Sequence, residues 1–436
     1  MNVKKEYENL YLRNKSEIDR HSSAMMNACR EKAFLDFRRI GFPASNDEPY
    51  LYTDTGTLFG EKSSSLPVCY GMEAQLLEED DNSYERRIYA KMENGLCGLT
   101  AGVSGKRAWI GSLRAFSNTY SGILSKYYAR LADTSKNGIT ALNTMLASDG
   151  FLLYVPEGAV LDGPVWIDSV LCAETGVMAN RRVLVVLEAG AQVQAVLSDR
   201  TVGKGGILST RVMEVFAGEG SMFELYETEN TDSGSVRFSN LYVHQEKDSN
   251  VFLGSMTLDN GSTHNYTEVL LAGNGAEVRM SGIAIEDKCQ KVDNYTFIDH
   301  RVGGCSSVEL YKYVLEDSSV GSFAGKVMVR EGSQHTKSQQ TNRNLCLTRD
   351  ARMFTRPHLE IYADDVKCGH GATVGQPDEN ALFYMRQRGI PLQEARMLLI
   401  SAFVNEVVDD IRIGDLRDSI RTVVEKRLRK SKEMNA

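Results

Sequence analysis

The chain has 436 residues, enough for two or three domains and a sizeable core, and its 42% hydrophobic and 25% charged content is ordinary for a globular protein. Fifty basic against 58 acidic side chains leave a net charge of −8, which argues against a general nucleic-acid surface. The N-terminal MNVKKEYENLYLRNK has no apolar signal core and no run approaches the length of a membrane span, so the expected setting is the cytoplasm, with no membrane contact.

Residues 5–40 read as one helix: Tyr7, Leu10, Ile18, Met25 and Leu35 recur by turns, and Gly41-Phe42-Pro43 stops the run. Residues 44–135 are mixed, with the acidic run at 78–81 expected as a solvated loop and a helix expected around 121–132. From about residue 150 the texture changes to short apolar strands, among them 151–155, 182–188, 211–216, 250–258 and 277–285. Turn clusters near Gly190, Gly220, Ser249, Gly275 and Ser306 recur at spacings of 30, 29, 26 and 31 residues. That period signals stacked supersecondary units, and with no helix between the strands the expected architecture is a β-solenoid. Each coil should bury an inward row of Val, Leu, Ile and Phe against its neighbours.

Residues 378–430 return to helix. Asp378 is placed to cap a first helix that runs to Gly389, and Pro391 opens a second with one apolar stripe from Leu392 through Leu399 to Ile411. A third helix carries Leu416, Ile420, Val424 and Leu428 on one face. The expected organisation is therefore an N-terminal helical and mixed region at 1–135, a solenoid core at 136–376 and a C-terminal helical region at 377–436.

One stretch stands out chemically. In LEIYADDVKCGHGATVG, residues 359–375, apolar Leu359, Ile361 and Ala363 alternate with polar neighbours, a strand pattern that we extend through His370. Cys368 and His370 then share one strand face, about 6.5–7 Å apart. That separation is too long for one small ion without bending, yet both groups could contribute to a larger cluster or to a metal completed by another surface. Gly369 and Gly371 leave room for a bulky group or a second chain. Spacing alone favours a half-buried cysteine and a hydrogen-bonded histidine, since Cys-x-His lacks a four-ligand signature. The eight cysteines show no CxxC pair or disulfide-like framework.

Signatures of common enzymes are missing. GTLFGEKS at 56–63 departs from a phosphate loop because Glu61 separates Gly60 from Lys62, and there is no HExxH or GxSxG. If ATP is used, another chain must hydrolyse it.

The runs QQTNRNLCL (339–347), RPHLEIYADDVKCGHGATVG (356–375) and FYMRQRGIPLQEARMLLISAF (383–403) closely resemble the SufB/SufD family of iron–sulfur cluster assembly scaffolds. Weaker similarity reaches back to about residue 140. SufB-like chains carry Glu-His-Glu-Ala-Thr where this chain has Lys367-Cys368-Gly369-His370-Gly371-Ala372-Thr373, and a cysteine where it has Ala351, so the chain looks like the SufD side of the family. The resemblance implies a mainly β fold, a right-handed parallel β-helix flanked by helices. It implies a non-enzymatic subunit that pairs with SufB through the β-helix and binds the SufC ATPase through its C-terminal helices, with a homodimer in isolation. It also implies a nascent iron–sulfur cluster shared with the partner, with His370 and Cys368 as candidate ligands, and flavin as a cofactor of the whole complex. Two alternatives stand beside this reading: a SufB-like chain carrying a cluster by itself, against which Ala351 speaks, and a polysaccharide-active β-helix enzyme, which shares only the architecture.

Overall fold

A computed structural model describes residues 3–61, 88–98, 108–172, 176–203 and 205–433. The acidic run at 78–81 and the final two residues of GTLFGEKS lie outside the described residues.

The N-terminal helix expected over 5–40 is two helices, α1 (Val3–Arg20) and α2 (Ala24–Ile40). Ser23 makes the break, since its hydroxyl accepts from the Met26 N–H and caps α2 instead of continuing α1. The two helices then pack side by side, with the Tyr11 and Phe34 rings 5.0 Å apart. Gly41, at φ 71°, ends α2 as the sequence suggests. Two further helices follow, α3 (Thr55–Glu61) and α4 (Leu113–Leu124), so the helix expected around 121–132 is displaced toward the N-terminus. Its second half is taken by a carboxylate: Glu214 accepts from the backbone N–H groups of Ala129, Leu131 and Ala132 at 2.8–3.1 Å, which holds them in a turn. A short α5 (Gly138–Leu146) is buried along its whole length.

Strands β1 (Ile88–Glu93), β2 (Leu96–Gly98) and β3 (Trp109–Ser112) precede the repeats. Then come β4 (Phe151–Val155), β5 (Val165–Cys172), β6 (Val177–Leu187), β7 (Gln192–Val202), β8 (Ile207–Ala217), β9 (Met222–Asn230), β10 (Val236–Gln245) and β11 (Asn250–Asp259). The series closes with β12 (Ser262–Leu271), β13 (Glu277–Glu286), β14 (Lys291–His300), β15 (Ser306–Leu315), β16 (Val320–Val329), β17 (Lys337–Cys346), β18 (Arg352–Ile361) and β19 (Lys367–Gly375). Among β4 to β19, even strands pair with even and odd with odd, always in parallel, so the chain winds between two sheets as a parallel β-solenoid of about 8 turns. Along the even sheet Leu208, Val236, Ser262, Lys291, Val320 and Arg352 are successive neighbours. The resulting coil length of about 30 residues is what the turn spacing anticipated.

Inward rows are only half as expected. Near one corner they are apolar, for example Val183, Val185, Met213, Val215, Leu241 and Val243. Elsewhere the same inward faces carry a buried ionic row. Asp199 meets Arg181, Arg211 and Arg237, and Arg237 continues to Glu229 at 2.9 Å. Periodicity marked these positions as strand but could not show that matched charges, rather than hydrocarbon, fill them.

The helices cover the outer sheet faces. Tyr7, Phe34, Phe37 and α5 pack on Met178, Leu208, Val236 and Phe238 of the even sheet. After the solenoid come α6 (Glu379–Gln387), α7 (Leu392–Val408) and α8 (Gly414–Glu433). Asp378 caps α6, its carboxylate accepting from the Asn380 N–H at 2.8 Å. Ile400, Val404, Val407, Ile411, Leu416, Ile420 and Val424 bury Val196, Tyr226, Phe252, Ile283, Ile285 and Val314 of the odd sheet. That packing leaves Phe383, Tyr384, Leu392 and Leu398 exposed. Among the described residues no helix is long and apolar enough to cross a membrane.

Candidate functional site

The two ends of the solenoid differ. At the first coil, β3 runs antiparallel beside β4, while β1 joins β5 and folds back as a hairpin with β2. At the last coil, β18 and β19 are the terminal strands of their sheets, and among the described residues nothing pairs with their outer edges. Two rows of backbone N–H and C=O groups therefore face outward, an arrangement that isolated proteins ordinarily blunt or cover.

The chemistry-bearing motif is on this open coil. The single strand expected from Leu359 through His370 is instead two: Leu359 and Ile361 end β18 in one sheet, residues 362–366 turn, and Cys368 and His370 stand on β19 in the other. The turn is pinned by Asp365, whose C=O accepts from the His335 N–H at 2.6 Å and whose carboxylate lies 2.9 Å from His335 Nδ1. Cys368 and His370 do share one face. Their ladder partners on β17 are Ser338 and Gln340, both buried and inward, whereas Lys367 pairs with exposed Lys337.

The two side chains differ in setting. Cys368 is half-buried against the apolar core, as are Met353, Leu359 and Val366. Burial pushes its thiol above the usual range, partly offset by a hydrogen bond from the Ser338 backbone. A neutral thiol is a weak ligand until a metal displaces its proton. His370 is exposed, and its imidazole makes no hydrogen bond among the described residues. No group of three or more His, Cys, Asp or Glu side chains among the described residues could hold a metal ion, so the Cys368–His370 pair is at most part of a ligand set.

The other thiol in this region is remote. Cys346 ends β17 eight residues beyond Ser338, which puts it roughly 26 Å along the strand from the level of Cys368. Ala351 lies in the turn at that same far end of the coil. Sequence reasoning missed the polar inward row under the open coil, namely Gln340, Asn342 and Asn344 on β17 and Thr355 on β18. The alternation in QQTNRNLCL carried that signal.

Comparison with known proteins places this architecture. The family profile described as SUF system FeS cluster assembly, SufBD core domain, matches residues 170–403, and the SufBD protein N-terminal region matches residues 1–66 and 99–167. The chain belongs to the SufB/SufD family. Among its relatives, the iron-sulfur cluster assembly protein SufD of Escherichia coli is 35% identical over 182 residues, 42% of this chain and 43% of that protein. SufD of Bacillus subtilis is 26% identical over 314 residues, 71% of each chain. Protein ABCI7, chloroplastic, of Arabidopsis thaliana is 26% identical over 422 residues, 92% of this chain and 86% of that protein. The first of these alignments thus spans less than half the relative's own length.

Proposed function

We propose that this chain is a SufD-like, non-enzymatic subunit of the iron–sulfur cluster assembly scaffold, and that its open terminal coil forms one wall of the site where a nascent cluster is built. The observation that supports this reading is an incomplete ligand set on an incomplete coil. Cys368 and His370 share an inward face at an unpaired sheet end, with no third donor in reach among the described residues. Thiolate and imidazole both ligate iron, and a SufB-type chain completing the coil would bring the rest. In isolation a second copy of this chain would take the same edge. The cluster is cargo here, not a resident cofactor.

A SufC-type ATPase would supply the hydrolysis for which this chain has no signature. The exposed residues Phe383, Tyr384 and Leu398 on α6 and α7 form the dock, because the opposite faces of α7 and α8 are already committed to the odd sheet. The test is co-expression with SufB-type and SufC-type partners, followed by purification and an iron and acid-labile sulfide assay of every subunit combination. Cluster should appear only where this chain and the SufB-type chain purify together. Full cluster yield from the SufB-type chain and the ATPase without this subunit would overturn the proposal.

A further inference from the structure

Directly beside His370 in the ladder stands Gln340 of β17, about 4.8 Å away at the Cα and on the same inward face. Gln340 is fully buried, and its amide is held by one hydrogen bond. Its Nε2 donates to Glu309 Oε2 of β15 at 2.6 Å, and Glu309 is itself buried and is the ladder neighbour of Gln340 on the other side. Gly325 of β16 makes room for this amide, since a Cβ there would lie 2.1 Å from Gln340 Nε2. The Gln340 Oε1 that this arrangement leaves over is buried and has no hydrogen-bond partner. An acceptor buried without a partner costs stability unless something uses it. The neighbouring imidazole has a donor with no partner among the described residues.

We propose that Gln340 is the positioning residue for His370: its Oε1 accepts the imidazole N–H that faces the coil, which fixes the tautomer and leaves the other ring nitrogen directed at the open end as the ligand. Glu309 acts one step further back, orienting the Gln340 amide. Ligating histidines ordinarily donate their second N–H to such a fixed acceptor, and the partner sets both ring angle and tautomer. The ligand role of His370 rests on the function proposed above; the hydrogen bond, which neither side chain makes in this structure, is inferred from the two unpartnered groups on adjacent ladder positions.

The experiment therefore has two arms. In the full-length isolated chain, labelled with ¹⁵N-histidine and free of iron, long-range nitrogen–proton NMR reads the His370 tautomer, with His370→Gln to assign the signal. Wild type should show one dominant tautomer. Gln340→Met, similar in volume but without the acceptor, should move it to the free-imidazole mixture. The exchanged pair Glu309→Gln with Gln340→Glu keeps one donor and one free acceptor in place and should restore the wild-type signature. In the reconstituted complex, supplied with ferrous iron and sulfide, Gln340→Met should lower cluster yield about 10-fold, and the exchanged pair should recover it. A wild-type tautomer ratio equal to free imidazole and unmoved by Gln340→Met overturns the inference. If Gln340→Met does not fold, failure of the exchanged pair to keep the wild-type tautomer overturns it instead. A tautomer that responds while cluster yield does not move would sustain the hydrogen bond and count against His370 as a ligand.

Discussion

Lys312 of β15 and Glu406 of α7 join the solenoid to the C-terminal helices. The Lys312 ammonium, on a side chain only 2% exposed, pairs with the Glu406 carboxylate. It also donates to the Phe403 carbonyl at 2.7 Å and lies 4.5 Å from the centre of the Phe403 ring.

That joint should be sensitive to acid. The hydrogen bond from Lys312 holds the Glu406 carboxyl below the usual carboxylate range, against the opposing pull of burial. A carboxylate depressed in the folded state contributes its full stabilisation above the unfolded pKa of about 4.3 and loses it as pH falls through the lower folded value. Hydrogen exchange across 392–433 should be slower in wild type than in Glu406→Gln at pH 7, and the two should converge in acid. Lys312→Met should be milder than Glu406→Gln, since it removes the buried charge instead of stranding it. Equal exchange in wild type and Glu406→Gln at pH 7 would show that the pair holds nothing.

A second pH dependence comes from His300, which is buried with Nε2 at 2.9 Å from Ser307 Oγ. Burial pushes its pKa down from 6.5 to about 4, with Asp299 nearby pulling the other way. The unfolded chain therefore takes up a proton before the folded one does. Stability is fully present above pH 6.5 and is lost as pH falls from 6.5 to 4, by about 3 kcal/mol in all. Urea denaturation at pH 7 and pH 4.5 should show a smaller difference for His300→Gln than for wild type.

In the ionic row, Asp199→Asn should destabilise the solenoid by about 3–5 kcal/mol. Burial would raise this carboxyl, but the combined field of Arg181, Arg211 and Arg237 holds it well below the usual range. Removing the charge leaves those three guanidiniums without their shared partner. A urea midpoint close to wild type would mean that the interior admits water.

Much of this was legible in the strand and turn pattern. The inter-sheet corners repeat Gly190, Gly220 and Gly275, each in the left-handed region that glycine tolerates, so the coil length was written in the turns. The Cys368–His370 face was legible because strand period is 2 whatever the sheet. What escaped was the corner at 362–366, because Tyr362-Ala363-Asp364 keeps the alternation of a strand while the chain changes sheet. The kinship of Gln340 to His370 also escaped, since thirty residues and one full coil separate them and only the register brings them together.

The C-terminal helices show why contact matters more than pattern. Apolar stripes alone would suit a separable dock, in which case deleting 391–436 would leave the solenoid folded. In the structure the deletion strips Tyr226, Phe252, Ile283 and Val314 bare, and the truncated chain should aggregate. Phe383→Ser with Tyr384→Ser should keep the circular dichroism of wild type and reduce capture of a SufC-type ATPase in a pull-down. Undiminished capture would put the dock elsewhere.

For the open coil, His370→Ala should leave complex assembly intact by size exclusion and sharply lower iron and sulfide content. Lys367→Ala, on the outward row beside Lys337, should change little. Cys368→Ala should fall between them, its thiol being half-committed to the core. Wild-type iron content in His370→Ala would return this residue to an ordinary surface histidine.

The unfinished last coil carries a demand on supply. On the proposed pairing, a solenoid whose last coil has nothing on its outer edges among the described residues is one half of a matched pair, and every surplus copy presents a growing end to whatever strand comes by. Synthesis of this chain would then have to be kept in step with synthesis of the proposed partner, and a cell that overproduces it alone should accumulate either self-paired copies or fragments left by proteolysis.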